Sequence, residues 1–397
     1  MTRIALGGEL QAEPVSVAGR RPHDRTSSDG LAGPDRRGGT GAAGVVRVPP
    51  AMLSAAGLVA TDAFGLLRVH AAVRTAGTVE ALRSAVAGMP ALFVAMVQAD
   101  VRAPIVLRVY TTLCDAVTSR LVDMSVEQRG AAPAPFAWLA FGSAGRGELT
   151  LFSDLDNGLA YADTGDPAVH EYFLRLATDV DRGLLQCGFA LDAHGVLATD
   201  PDWRMQASDW VAVLAACLPG WDNDSVIRAA VGFDVRQVAG DLRVVPLLHA
   251  VVRESPAHSR FLMGMAQLGA EVPSPLGFRR RLRGNFDLKQ KGLLPVQNLA
   301  RYYACASGVA CASTLERLEA VCEAGGRNGA VAASLRDVYL TMAGLLVRHQ
   351  AEAFSAGRTE EGVLDVGGLT AGERARLEEA LRVLASVQER LPRRASF

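Results

Sequence analysis

The sequence predicts an α+β protein in which strands in the middle of the chain lie between helices on either side. Residues 136–141 are apolar and aromatic and too few for a helix of usual length, which indicates a buried strand. Apolar residues recur at spacings of four and three from Ile105 to Met124, as in an amphipathic helix. After Leu247 the pattern is almost entirely helical, which predicts a C-terminal helical bundle.

Composition divides the 397 residues, which are enough for two or three domains, into four segments. Residues 1–49 are rich in Gly, Arg, Pro, Ser and Asp and poor in large apolar residues, which predicts a disordered tail. Residues 50–130 form a predicted N-terminal helical segment, and an alanine- and proline-rich linker, residues 130–135, follows it. Residues 131–245 are predicted to form the domain that carries the strands, and residues 246–397 the helical domain.

The overall charge gives no reason to expect a polyanionic partner. The formal net charge is −1, so neither nucleic acid nor an anionic membrane surface is favoured. No apolar run reaches the length of a membrane span and the N-terminus has no signal-peptide pattern, so we expect no membrane association and a cytoplasmic location. The six cysteines lack CxxC spacing, which favours buried free thiols over a zinc site or a disulfide framework.

The middle of the chain is organised around one stretch, residues 136–161, which reads FAWLAFGSAGRGELTLFSDLDNGLAY. It predicts a strand, a glycine-rich turn, and a second strand that carries Asp154 and Asp156. Glycine allows a positive φ or the close approach of a ligand, and backbone N–H groups in such a turn, which begins at Gly142, can hold phosphate oxygens. Ser143 adds a hydroxyl group, and Arg146 adds a planar cation suited to phosphate.

The two aspartates predict a cation site. Side chains at i and i+2 of a strand share a face, so Asp154 and Asp156 would point the same way. Two adjacent carboxylates repel each other unless a divalent cation neutralises them, and Mg²⁺ prefers carboxylate and phosphate oxygens. Either motif alone is ordinarily a turn or a solvated face, but their combination in this order favours a site for a metal ion and a nucleotide.

Two residues elsewhere are candidates for the same site. Asp234, in GFDVRQVAGD, would lie on a neighbouring strand and supply a third carboxylate to a two-cation site. The alternative is an ordinary pair with Arg236 on an exposed strand face. Lys289 belongs to a basic run ahead of a strongly apolar helix and is a candidate phosphate ligand, although such a run is ordinarily a solvated face.

Residues 136–161 resemble the polymerase-β-type nucleotidyltransferases, specifically the branch that contains protein-PII uridylyltransferase. Within that branch the chain is similar to a bacterial nucleotidyltransferase family whose members often carry cyclic-nucleotide-binding and CBS domains upstream. The segments VLATDPDWRMQASDW, GFDVRQVAGD, DLKQKGLLPVQNLARYYA and TLERLEAV extend the resemblance over about residues 101–391. It implies a polymerase-β-like core, a small mixed sheet with flanking helices, in residues 131–245 and a substrate-binding helical domain in residues 246–397.

The resemblance implies an Mg²⁺-dependent enzyme that moves a nucleoside monophosphate from an NTP to an acceptor hydroxyl and releases pyrophosphate. The acceptor would lie on a regulatory protein, as for protein-PII uridylyltransferases, which implies a role in signal transduction. Asp234 is also the candidate base. By the positions that match the family, Gly142 and Ser143 would hold the triphosphate, and Arg146 and Glu148 would order the loop and contact the nucleotide. Two Mg²⁺ ions would be bound by Asp154, Asp156 and Asp234.

Two other functions stay open at this point. The same fold could serve as a non-catalytic nucleotide sensor, although an intact set of three aspartates argues against a degraded site. It could also transfer a nucleotide to a small molecule. The N-terminal tail is too short and too polar to hold the CBS or cyclic-nucleotide-binding domains of the relatives, and no HD-type hydrolase or ACT domain is expected. PII as the target, and a reverse reaction, therefore stay open as well.

Overall fold

The structure is a computed structural model, and it describes residues 60–220, 222–276, 281–359 and 362–392. The predicted disordered tail, residues 1–49, lies outside the described residues. From residue 60 onward, four helices precede the sheet: α1 (Ala60–Thr75), α2 (Val79–Val86), α3 (Met89–Gln98) and α4 (Ala103–Arg129). Helix α4 has Pro104 in its first turn, where the missing N–H costs nothing, and it ends at Gly130 with a positive φ of 91°. The predicted apolar stripe of this helix is confirmed, since Val109, Leu113, Val117 and Leu121 are buried.

The small mixed sheet is confirmed. Its four strands are β1 (Phe136–Ala140), β2 (Asn157–Tyr161), β3 (Arg204–Gln206) and β4 (Arg236–Gly240), in the order β3-β2-β1-β4. Strand β1 is antiparallel to both of its neighbours, and β3 runs parallel to β2. The intervening helices are α5 (Gly142–Arg146), α6 (Pro167–Gln186), α7 (Ala207–Cys217) and α8 (Asn223–Gly232).

The central strand is apolar because both of its faces are buried. Phe136 and Trp138 belong to one core, which the N-terminal and C-terminal helices share. Ala137 and Leu139 belong to a second core, formed with residues of α7 and α8 and of the helices that follow β4. Such a strand has a continuous apolar run rather than an alternating one, which is why its sequence predicted it clearly.

Three local predictions need correction. The segment predicted as a glycine-rich turn is the five-residue helix α5. Asp154 and Asp156 precede β2 instead of lying on it, and only Leu155 between them makes an isolated β-bridge. The sequence predicts no strand at Arg204–Gln206, where β3 lies, because three half-buried residues show no visible alternation.

The C-terminal region is helical, as predicted, except for one small sheet. Strands β5 (Asn285–Asp287) and β6 (Val363–Asp365) pair antiparallel, and a π-helical turn, Lys289–Leu293, follows β5. The helices are α9 (Val245–Glu254), α10 (Ser259–Ala270), α11 (Leu294–Ala306), α12 (Thr314–Ala324), α13 (Gly326–Ser355) and α14 (Ala371–Glu389).

Within the described part of the chain, two stretches are long and apolar enough to cross a membrane by length and composition, contrary to the expectation from sequence. They are Val79–Gln98 and Gly326–Ser355. The first is divided between α2 and α3, and the apolar window of the second is 50% buried inside the protein. Leu335 and Met342 of that helix are fully buried in the main core, which is the ordinary role of a long apolar helix in a bundle.

Candidate active site

Two chain segments bring three carboxylates together. The N–H of Leu155 donates to the carbonyl of Ala190 (2.9 Å), and the N–H of Asp192 donates to the carbonyl of Leu155 (3.2 Å). This parallel pairing buries Leu155 and places Asp192 beside the two aspartates that flank it. One carboxylate oxygen from each of Asp154, Asp156 and Asp192 lies within 4.8 Å of the other two. We call these three residues the acidic triad.

The electrostatics of the acidic triad favour a cation. Burial, followed by the neighbouring charges of Asp154 and Asp192, raises the pKa of Asp156 to about 7, against an opposing effect of Arg146 and Lys289. Three carboxylate oxygens at this spacing match the oxygen ligands that divalent cations such as Mg²⁺ prefer. The donor set therefore fits a divalent cation.

Asp192 is held in place by its own loop. Its Oδ2 accepts hydrogen bonds from the N–H groups of His194 (3.0 Å) and Val196 (2.8 Å). Asp192 is not among the residues that the sequence predicts for this site, because it belongs to a polar segment without a recognisable motif. The sequence nevertheless contains a signal for Asp192. The segment FALD follows a Cys-Gly turn, and its short apolar run ends in an aspartate, as the segment LFSDLD also does.

The glycine-rich segment faces the acidic triad. Gly142 has a positive φ of 52°, and a Cβ atom added to it would overlap the carboxylate of Asp156. The N–H of Phe141 donates to the carbonyl of Asp156 (3.0 Å), so the chain enters α5 directly beside the aspartate. Glycine is therefore required at position 142 both by its backbone conformation and by the space available. Ser143 follows in the first turn of α5.

Arg146 and Glu148 form a buried pair at the end of α5. The Nε of Arg146 donates to Glu148 (3.0 Å), and one Nη of Arg146 donates to the hydroxyl of Ser143 (3.2 Å). Glu148 also accepts hydrogen bonds from the side chain of Gln297 (2.9 Å) and the N–H of Thr314 (3.0 Å). Both side chains are about 8% exposed or less, so their contacts are made to the protein itself.

Asp234 lies in a different environment from the one predicted. It precedes β4, is 1% exposed, and pairs with Arg146, Arg301 and Arg317 at 2.5–2.6 Å. Burial alone would raise the pKa of Asp234, but the three guanidinium groups outweigh it and hold that pKa well below its usual range. Arg236 pairs with Asp115 instead (2.6 Å).

This arrangement differs from the expectation that Asp234 is the third metal ligand and the candidate base. The lone pairs of its carboxylate already accept hydrogen bonds from three arginines. A carboxylate whose charged form is stabilised in this way is a poor proton acceptor. Among the described residues, Asp192 is the third carboxylate that lies with Asp154 and Asp156.

Lys289 lies close enough to the acidic triad for its charge to lower the pKa of Asp156. It begins the π-helical turn after β5 and is half-buried, whereas its neighbour Lys291 is exposed. Of the predicted basic run, Arg279 and Arg280 lie outside the described residues. The structure thus singles out one cation of that run.

A cavity of about 490 Å³ opens beside Arg146, Gly147 and Glu148, between α4 and the helices α12 and α13. Its wall includes Arg102 and Tyr339. No residue of the acidic triad lines it, so this space lies next to the buried pair and apart from the carboxylates.

The small mixed sheet, the glycine-rich helix and the acidic triad define the class of protein as a nucleotidyltransferase. A family model described as "Putative nucleotidyltransferase DUF294" matches residues 87–222, and a second, "Putative nucleotidyltransferase substrate binding domain", matches residues 259–395. The chain belongs to this nucleotidyltransferase family. A search of curated proteins found no match. The acidic triad and α5 lie in the first matched range, Lys289 lies in the second, and Asp234 lies between the two.

Proposed function

We propose that the protein transfers a nucleoside monophosphate from an NTP to an acceptor hydroxyl, with release of pyrophosphate, and that the reaction depends on two Mg²⁺ ions held by Asp154, Asp156 and Asp192. One observation carries this proposal. Three carboxylates lie within 4.8 Å of one another against the glycine-rich helix of a nucleotidyltransferase fold. Such a concentration of negative charge is costly without a cation.

The residues around the acidic triad have roles that follow from their positions. Gly142 leaves room for the Asp156 carboxylate, so a triphosphate bound at the start of α5 would lie next to the carboxylates. The hydroxyl of Ser143 can donate to a phosphate oxygen, and Lys289 supplies a positive charge near Asp156. Bound Mg²⁺ would neutralise the triphosphate and lower the pKa of the acceptor hydroxyl.

We propose a hydroxyl group on a regulatory protein of the cytoplasm as the acceptor. The resemblance to the uridylyltransferase branch and the match to a substrate-binding domain in residues 259–395 support this choice. A net charge of −1 does not favour nucleic acid as the acceptor. The six cysteines are free thiols, which fits a reducing compartment.

The test is nucleotide transfer by the purified protein, with Mg²⁺, each α-labelled NTP in turn, and cell extract as the source of acceptor. An Asp154→Asn/Asp156→Asn variant should lose the transfer, and an Asp202→Asn variant, altered at an exposed surface pair, should keep it. Label on a protein supports the proposal in full. Label on small molecules alone would mean that the acceptor is a small molecule and not a protein. Tight NTP binding without any transfer would favour a sensor over an enzyme.

A further inference from the structure

We infer that Asp234 is a positioning residue through which the C-terminal helices hold α5, and with it the predicted triphosphate-binding segment, in its place beside the acidic triad. The inference rests on the proposed function for its kinetic consequences. Its structural content, that α5 is fixed by Asp234, can be tested without any transfer reaction.

The carboxylate of Asp234 joins three elements. Its Oδ2 accepts hydrogen bonds from Arg146 of α5 (2.6 Å) and from Arg301 of α11 (2.5 Å). Its Oδ1 accepts from Arg317 of α12 (2.6 Å) and again from Arg301 (3.1 Å). Helix α5 belongs to the sheet domain and the other two helices to the C-terminal region, so one side chain connects both parts.

The backbone around Asp234 makes the same connection. A Cβ atom added to Gly145 would overlap the carbonyl oxygen of Asp234, so α5 packs directly on this residue. The carbonyl of Phe233 accepts a hydrogen bond from Arg317 (2.7 Å). Phe233 and Asp234 are therefore held between α5 on one side and α12 on the other.

Among the described residues of this cluster, the buried guanidinium groups outnumber the carboxylates that pair with them. In the described part of the chain, the carboxylates that pair with the three buried guanidinium groups of Arg146, Arg301 and Arg317 are those of Asp234 and Glu148. Removing one partner of a buried ion pair leaves an uncompensated charge in a poorly solvated place. A neutral residue at 234 would free Arg146 to reorient.

The consequence reaches the site through Arg146. Arg146 donates a hydrogen bond to the Ser143 hydroxyl. Gly142, the residue before Ser143, contacts Asp156. Loss of Asp234 should therefore disturb the placement of α5 relative to the acidic triad. The three triad carboxylates are held by a different segment, through Leu155 and Ala190, so their affinity for a cation should persist.

The experiment uses the full-length Asp234→Asn variant. Three properties are measured: the Mn²⁺ affinity by electron paramagnetic resonance, kcat and KM for transfer, and hydrogen exchange of backbone amides in α5 and directly after it. We expect the Mn²⁺ affinity to stay within about twofold, kcat/KM to fall at least about tenfold as α5 is misplaced, and exchange at Gly145 and Glu148 to accelerate. In the wild type these two N–H groups donate to the carbonyls of Phe141 and Ser143 (2.8 Å each).

The matched control is Asp179→Asn, which breaks a partly buried pair with Arg129 between α4 and α6, away from α5. It should lower thermal stability without accelerating exchange in α5. If Asp234→Asn does not fold, Arg317→Lys keeps the charge, removes the second hydrogen bond to Phe233, and should accelerate the same amides.

Two results would overturn the inference. A loss of Mn²⁺ affinity of tenfold or more would make Asp234 a metal ligand after all. Hydrogen-exchange rates and transfer kinetics equal to those of Asp179→Asn would mean that Asp234 contributes to stability and does not position α5. If the wild type shows no transfer, the proposed function fails, but the exchange measurement still decides whether Asp234 fixes α5.

Discussion

Two aspartates lie against the same five-residue helix in opposite electrostatic environments. Asp156 contacts the start of α5 at Gly142, where two further carboxylates lie close to it. Asp234 contacts the same helix at Gly145, where three guanidinium groups surround its carboxylate. The pKa of Asp156 is raised to about 7, whereas that of Asp234 is held well below its usual range.

The comparison separates two uses of a buried carboxylate. The acidic triad has three carboxylates close together, so we expect it to be stabilised by a cation from solution. The carboxylate of Asp234 already pairs with three arginines, so we expect it to connect helices and not to bind a metal ion. Residue type alone does not distinguish these uses; the number and sign of the neighbouring charges do.

The sharpest test of this contrast is Asp192→Asn. We expect cation affinity to fall by roughly 100-fold, because loss of a ligand should cost at least as much as loss of the group that orients one. Transfer should fall with it. Titration with Mn²⁺, compared with Asp234→Asn in the same experiment, measures the difference. Full affinity in Asp192→Asn together with weak binding in Asp234→Asn would reverse the two assignments.

A second test acts on the helix between the two aspartates. Gly142→Ala places a methyl group on the Asp156 carboxylate and forces a non-glycine residue to φ 52°. A displacement of about 1 Å at a reacting centre can cost about 100-fold in rate, so we expect kcat for transfer to fall by one to two orders of magnitude. Steady-state kinetics at saturating NTP measure it.

The control for this substitution is Gly147→Asn. Gly147 also has a positive φ, of 73°, but a Cβ atom there meets nothing within 4 Å. Asparagine tolerates the left-handed conformation, so this variant should keep most of its activity. Equal losses in both variants would mean that backbone strain, and not contact with Asp156, explains the effect.

The sequence predicted those parts of the fold whose signal is local. Strand β1 is apolar along its whole length because both faces are buried, and α4 shows its stripe over several turns. Asp154 and Asp156 were found because they are two residues apart and follow a glycine-rich segment. Strands β3, β5 and β6 have three residues each, too few to show a period.

The parts that were missed depend on contacts between distant segments. Asp192 joins the acidic triad through one backbone pairing between residues that are far apart in sequence. Asp234 is neutralised by Arg301 and Arg317, which lie 67 and 83 residues further along the chain. The sequence pattern and the resemblance predict Asp234 as the third carboxylate, whereas Asp192 is the one that lies with Asp154 and Asp156 among the described residues.

A smaller effect is expected for Lys289→Met. The charge of Lys289 lowers the pKa of Asp156, and the same charge should attract the triphosphate. We expect KM for NTP to rise about tenfold, which corresponds to about 1.4 kcal/mol, with little change in kcat. Lys291→Met, altered at an exposed position of the same turn, is the matched control and should leave KM unchanged. A KM unaffected in both variants would place Lys289 outside the nucleotide site.

The smallest effect concerns stability and pH in the absence of divalent cations. Asp156 has a pKa of about 7 in the folded protein, above its ordinary unfolded value of about 3.9. Between these values the folded state binds more protons than the unfolded state, so the free energy of unfolding falls as the pH rises. With allowance for partial solvent exposure, we expect Asp156 to cost about 1–3 kcal/mol above about pH 8.

Asp156→Asn removes this titration. In EDTA it should unfold about 2–6 °C above the wild type near pH 8 and close to the wild type near pH 5. Added Mg²⁺ should stabilise the wild type and not the variant. Asp234→Asn should behave in the opposite way: its carboxylate has a lowered pKa, so the stability that it contributes is present above about pH 4 and disappears only as acid protonates it. Parallel pH profiles for the two variants would show that the two aspartates do not differ as the structure indicates.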